Sequence, residues 1–147
     1  MEKSTKQEQY ARQKVRLKRA LNYSFFYEAV LIEYAMFEDR TTSIIKHLNC
    51  KTINRRGQPL KLSEKLNIIN DNPAFQSSYI KKRLPRELIE KIRSWKGNRD
   101  QLVHDLMTPN SEDAWAKEIA EEGNELLRIF DNKVQSICRH FSRKGGI

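Results

Sequence analysis

The chain reads as an all-α protein, an up-down bundle of about four to six helices. Three observations predict it. Apolar residues recur at three- and four-residue steps almost throughout, and no stretch alternates as a half-buried strand would. The third is composition: 147 residues with 38% hydrophobic carry only five glycines and four prolines. A chain of this length makes a single domain, residues 1–147, with 1–9 and 143–147 expected as loose ends. It is long enough to fold without a disulfide or a metal.

Thr5 to Leu21 allows a polar, basic helix whose apolar positions, Tyr10, Val15, Leu17 and Leu21, are sparse. Tyr23 to Leu48 is the clearest long helix. Tyr23, Phe26, Val30, Phe37, Thr41, Ile44 and Leu48 form one stripe, and Phe25, Ala29, Ile32 and Met36 a second on nearly the opposite side. Two apolar sides need two covers, which is a first hint of a homodimer. Lys51 to Leu62 is a connector with turn chemistry at Asn54–Pro59. Ser63 as N-cap opens a short helix to Asn70, with Leu66 and Ile69 inward, and Asn72-Pro73 breaks it. A turn or two of helix follows over Phe75 to Arg83. Pro85 suits the first turn of the next helix, whose core face is Leu88, Ile92 and Trp95. Gly97 is expected to break or kink that helix, with Asn98 and Gln101 forming a capping box for a restart. Thr108-Pro109-Asn110 ends the segment. Ser111 caps a last helix to about Phe141, with Trp115, Ile119, Leu126, Phe130, Val134, Ile137 and Phe141 on its buried side.

Charge narrows the function classes. The net charge is +9, from 28 Lys and Arg against 19 Asp and Glu. It is distributed unevenly: +5 in residues 1–20, +5 in 21–110, −5 in 111–127 and +4 in 128–147. Basic segments at both ends point to a polyanion such as RNA, or else to a solvated surface. No apolar run reaches membrane-span length and no apolar segment follows the N-terminal lysines, so neither a membrane nor export is expected, and the cytoplasm is the natural compartment. Cys50 and Cys138 are too few for a zinc site, so no metal and no cofactor are expected.

Chemistry concentrates at Trp95–His104. If the helix restarts at Asn98, Arg99 continues the core line of Leu88, Ile92 and Trp95 while sitting at a helix N-terminus. A cation there opposes both burial and the helix dipole, a conflict typical of functional sites. The alternative is an arginine snorkelling over the core edge, paired with Asp100 or a glutamate.

Arg99 and His104 with four residues between them, Asp100 directly after the arginine, and a helical chain of this length resemble the HEPN superfamily. The layout, a long second helix and a late motif followed by a long terminal helix, is similar to its small abortive-infection and toxin members. The resemblance implies a metal-independent endoribonuclease in which two protomers bring two Arg/His motifs into one cleft. His104 would act as general acid or base, and Arg99 would grip the scissile phosphate. Asp100 would orient His104 or hold Arg99. The products would be a 2′,3′-cyclic phosphate and a 5′-hydroxyl.

Glu33, then Glu38, are the acids on the long helix placed to face Arg99 or His104, or else ordinary margins of its core stripe. Arg55, Arg56, Lys81, Lys82, Arg83, Lys96 and Asn98 are candidates to track an RNA backbone, and Tyr79 offers a face for a base. Two other classes compete. One keeps the fold without catalysis, as an RNA-binding or scaffold module for a small RNA or an antitoxin. The other is a DNA-binding regulator, for which no helix pair has the right spacing.

Overall fold

The computed structural model describes residues 5–107 and 113–144. Among them it is all-α, with six α-helices, two 3-10 turns and no strand.

Helix α1 spans Lys6–Asn22. The Thr5 hydroxyl accepts from the Glu8 amide at 3.1 Å, and the Glu8 carboxylate accepts from the Thr5 amide at 3.3 Å. This reciprocal cap satisfies two otherwise open N–H groups. Residues 6–9 therefore form the first helical turn, where the composition reads as loose. Leu17 and Ala20 are buried, Tyr10 and Leu21 partly so, and Val15 points to solvent.

Helix α2, Phe26–His47, is the central rod. Tyr23 and Phe25 precede it and are exposed, while Ser24 turns the chain with φ +61°. Val30, Phe37, Thr41 and Ile44 are buried, and so are Ala29, Ile32 and Met36. Both stripes are covered by α1, α3 and the last helix of the same chain. The argument for a dimer from a second apolar side of α2 therefore falls away.

The connector after α2 turns at Gly57, whose φ of +75° is the left-handed conformation glycine accepts without strain. Helix α3 runs Leu62–Asp71, beginning before the expected Ser63 cap, with Glu64 accepting from the Lys61 amide at 3.0 Å. Leu66 and Ile69 are buried as the pattern requires. A 3-10 turn at Pro73–Phe75 leads to α4, Ser78–Arg83.

Helix α5, Arg86–His104, passes through Gly97 without interruption. Asn98 caps nothing, and the expected restart does not occur. Glycine costs about 1 kcal/mol inside a helix. Burial of Leu88, Ile89, Ile92, Trp95 and Leu102 on one face outweighs that cost. A 3-10 turn, Asp105–Met107, follows. The expected terminator at Thr108–Asn110 and the Ser111 cap lie outside the described residues. Helix α6, Asp113–Lys144, buries Ile119, Leu126, Phe130, Val134 and Ile137, while Trp115 and Phe141 lie at the core's edge.

The core centres on Phe37, with the Trp95 ring 4.9 Å and the Phe130 ring 6.2 Å from it. Cys50 and Cys138 are free, half-buried thiols. No described helix is long and apolar enough to cross a membrane.

Candidate active site

Because α5 is continuous, Arg99 and His104 sit on one helix about 140° apart around its axis. Their side chains leave it in different directions. Arg99 turns back onto α2, where its guanidinium lies 4.0 Å from the centre of the Tyr34 ring. Its Nη1 donates to Asp100 Oδ1 at 2.9 Å, and its Nε is buried without a hydrogen-bond partner. The arginine is thus held at the core edge by stacking and by one carboxylate. It stands in the second half of α5, where the helix dipole favours a cation. The conflict that a restart at Asn98 would have produced is absent.

His104 is the last residue of α5 and its side chain is 80% exposed. Its Nδ1 lies 3.1 Å from Asp105 Oδ1. Gln101 donates to the other Asp105 oxygen at 2.8 Å. That bond, then the one from His104, holds the Asp105 carboxyl below its usual range. The partner of the imidazole is therefore Asp105, a correction to the expectation that Asp100 orients it. Asp100 instead joins Arg99 and Lys96, whose Nζ is 2.7 Å from Oδ2. Burial pushes the Asp100 carboxyl up, but the bonds from Lys96 and Arg99 outweigh it and the net shift is downward.

The two glutamates part company. Glu33 is fully buried, with neither carboxyl oxygen hydrogen-bonded, so it bonds to neither Arg99 nor His104. It faces Trp95 and Gly123: a Cβ at 123 would come within 2.3 Å of Glu33 Oε1 and 2.7 Å of Trp95 Nε1. Burial pushes its carboxyl up to about 10, so it is a neutral acid in the core at physiological pH. Glu38 does join the arginine's surroundings, through an intermediary. The Tyr34 hydroxyl bonds to Glu38 while the Tyr34 ring carries Arg99. Lys65, buried on α3, completes the group by donating to the Glu38 carbonyl at 3.1 Å and to Thr42 Oγ1 at 3.0 Å.

The basic candidates are divided among separate elements, and most have partners of their own. Lys96 and the exposed Asn98 flank Arg99 on α5. Arg55 and Arg56 are exposed in the connector after α2. Lys81 donates to the Asn70 carbonyl at 2.9 Å and closes the end of α3. Burial, then Arg86, pushes its ammonium pKa down. Lys82 is exposed. Arg83 stacks 3.5 Å from the Tyr79 ring centre, and the His140 ring lies 3.6 Å from the same centre. Two groups this close must occupy opposite faces, so Tyr79 has no face left for a base.

Tyr34 and Lys65 escaped the sequence reading, because only the pairing of α2 with α3 and α5 makes them neighbours. Asp131 also escaped it, although a signal existed: it stands on the core line between Leu127 and Val134. Comparison with family models, with curated proteins and with solved structures finds no match for this chain.

Proposed function

We propose that the chain is a metal-independent endoribonuclease, of the kind its Arg99/His104 motif resembles, and acts as a toxin or phage-defence effector. The observation that supports it best is His104. An exposed imidazole with a carboxylate at Nδ1 has its Nε2 available for proton transfer near neutral pH. It is bordered by exposed apolar side chains, Val103, Leu106 and Met107, the last 93% exposed. Such a border is suited to a second copy of the chain, and a paired site is what the motif requires, since Arg99 and His104 diverge within one chain. In that reading His104 takes the proton from an RNA 2′-hydroxyl, the oxygen attacks the adjacent phosphorus, and the 5′-oxygen leaves. Arg99 then offsets the charge on the phosphoryl oxygens.

The test is incubation of labelled RNA with the full chain in EDTA, beside His104→Ala and Arg99→Ala. Cleavage ending in a cyclic phosphate and lost in both variants is expected. Cleavage undiminished in His104→Ala would overturn the mechanism. Growth arrest on expression, relieved by His104→Ala, would support the toxin role.

A second reading rests on Arg99. Its guanidinium is stacked, paired with Asp100 and mostly shielded, so a phosphate would have to displace an existing ion pair. That favours a helical module that binds a small RNA or an antitoxin without cutting. Tight RNA binding with no cleavage by the unaltered chain would select it.

A further inference from the structure

Helix α1 packs chiefly on α2, because Leu17 and Ala20 are its only buried positions, and it leaves space beside α6. The result is an open cavity of about 450 Å³ between α1 and α6. This lies within the size range of small-molecule sites. Its walls are apolar: Leu17, Leu21, Met36 and Leu127.

Two polar atoms facing this space are unmet. Asp131 is buried, at 3% exposure, and lines the cavity. Its Oδ2 accepts from Gln135 Nε2 at 2.9 Å and lies 3.5 Å from Lys14 Nζ. Its Oδ1 has Arg40 Nη1 at 3.8 Å, beyond hydrogen-bond length, and no hydrogen-bond partner. The Tyr10 hydroxyl, also lining the cavity, is buried and unpartnered as well. Burial, then the Asp131 charge, raises the pKa of this hydroxyl, so it remains a donor. Buried polar atoms are almost always bonded, and two unmet ones on one cavity mark a place for a ligand. The remaining lining is basic or amide. Lys18 and Arg128 are exposed there, Arg128 being paired with Glu125, and Asn22, Asn124 and Asn132 are exposed too.

We propose that this cavity binds a single nucleotide, base inward and phosphate outward. An amino-bearing base edge sets an N–H donor beside a ring nitrogen acceptor. The donor meets Asp131 Oδ1, and the Tyr10 hydroxyl donates to the acceptor. The flat faces of the base rest on Leu17, Met36 and Leu127, and the phosphate meets Lys18 and Arg128. A cationic ligand is disfavoured by Lys14, Lys18 and Arg40. Neither Arg99 nor His104 lines the cavity, so the inference stands apart from the ribonuclease reading.

The full chain would be titrated by calorimetry with adenosine 5′-monophosphate, adenosine, ribose 5-phosphate and a short adenylate oligonucleotide. Saturable one-to-one binding of the monophosphate is expected, with weaker binding of adenosine and none of ribose 5-phosphate. Tyr10→Phe, which deletes a hydroxyl with no partner and so leaves the fold intact, should weaken the monophosphate about tenfold. Lys18→Glu should weaken the monophosphate and leave adenosine unchanged. Tighter binding of the oligonucleotide, with the same loss in Tyr10→Phe, identifies the source as an RNA strand, and the reverse order identifies a free nucleotide. No saturable binding of the monophosphate, equal binding of ribose 5-phosphate, or undiminished binding by Tyr10→Phe would overturn the proposal and leave a water-filled groove.

Discussion

Glu33 places a carboxyl among Trp95, Gly123 and the core of α2 with no hydrogen bond to offset the lost water. Desolvation alone pushes it from the ordinary 4.5 up to about 10, and the sign of its effect on stability follows. Below the unfolded value both states are protonated, and the buried neutral acid costs least. Between the two values the unfolded chain releases its proton while the folded chain keeps it, so stability falls as pH rises. A single proton corresponds to about 1.4 kcal/mol per pH unit. Urea unfolding at about pH 5 and about pH 9 should therefore show a clear loss of stability in the native chain. Glu33→Gln, which keeps the shape and cannot ionise, should flatten that loss and be the more stable form at the higher pH. Equal pH slopes in both proteins would mean that the carboxyl reaches water or a cation.

At the scale of elements, the helices were legible where one apolar face repeats without competition. The core residues of α3, α5 and α6 follow from spacing alone, and so does the break at Asn72-Pro73. Legibility failed where a local signal competed with burial. Gly97, Asn98 and Gln101 together spell a helix start, yet five buried side chains on the same face carry α5 through them. The consequence for the candidate site was large, because a restart would have set Arg99 at a positive dipole end. Partners on other helices were illegible for a different reason: the stacking of Arg99 on Tyr34 and the bond of Lys65 to Glu38 depend on how α2, α3 and α5 dock. The continuity of α5 is itself testable. A Cβ on Gly97 meets nothing within 4 Å, so Gly97→Ala should stabilise the protein by about 0.5–1 kcal/mol in urea unfolding. A stabilisation would confirm an ordinary helical residue, whereas a loss would show that the chain needs glycine's freedom at a kink.

Across the whole molecule the positive charge has a structural division of labour. Helices α2, α3, α5 and α6 share the aromatic and aliphatic core around Phe37, while α1 contributes only Leu17 and Ala20 as fully buried residues. What else fastens α1 is electrostatic. Lys6 lies 3.6 Å from Asp39, Lys14 lies 3.5 Å from Asp131 and Arg16 lies 3.5 Å from Glu28. Arg40 also stacks 4.2 Å from the Tyr10 ring centre. The lysines and Arg16 are half exposed, so each of these pairs contributes little and is screened by salt. A core held by burial and a helix held partly by ions should respond differently to ionic strength. Amide hydrogen exchange should find α1 less protected than α2, α5 and α6 in dilute buffer. Raising salt to about 1 M, where the Debye length shrinks to about 3 Å, should lower protection in α1 further and leave the other three unchanged. Leu17→Ala, which removes the one large apolar anchor, should deepen that salt sensitivity. Protection of α1 equal to that of α6 at both ionic strengths would show that Leu17 and Ala20 suffice to fasten it, with the ion pairs adding nothing.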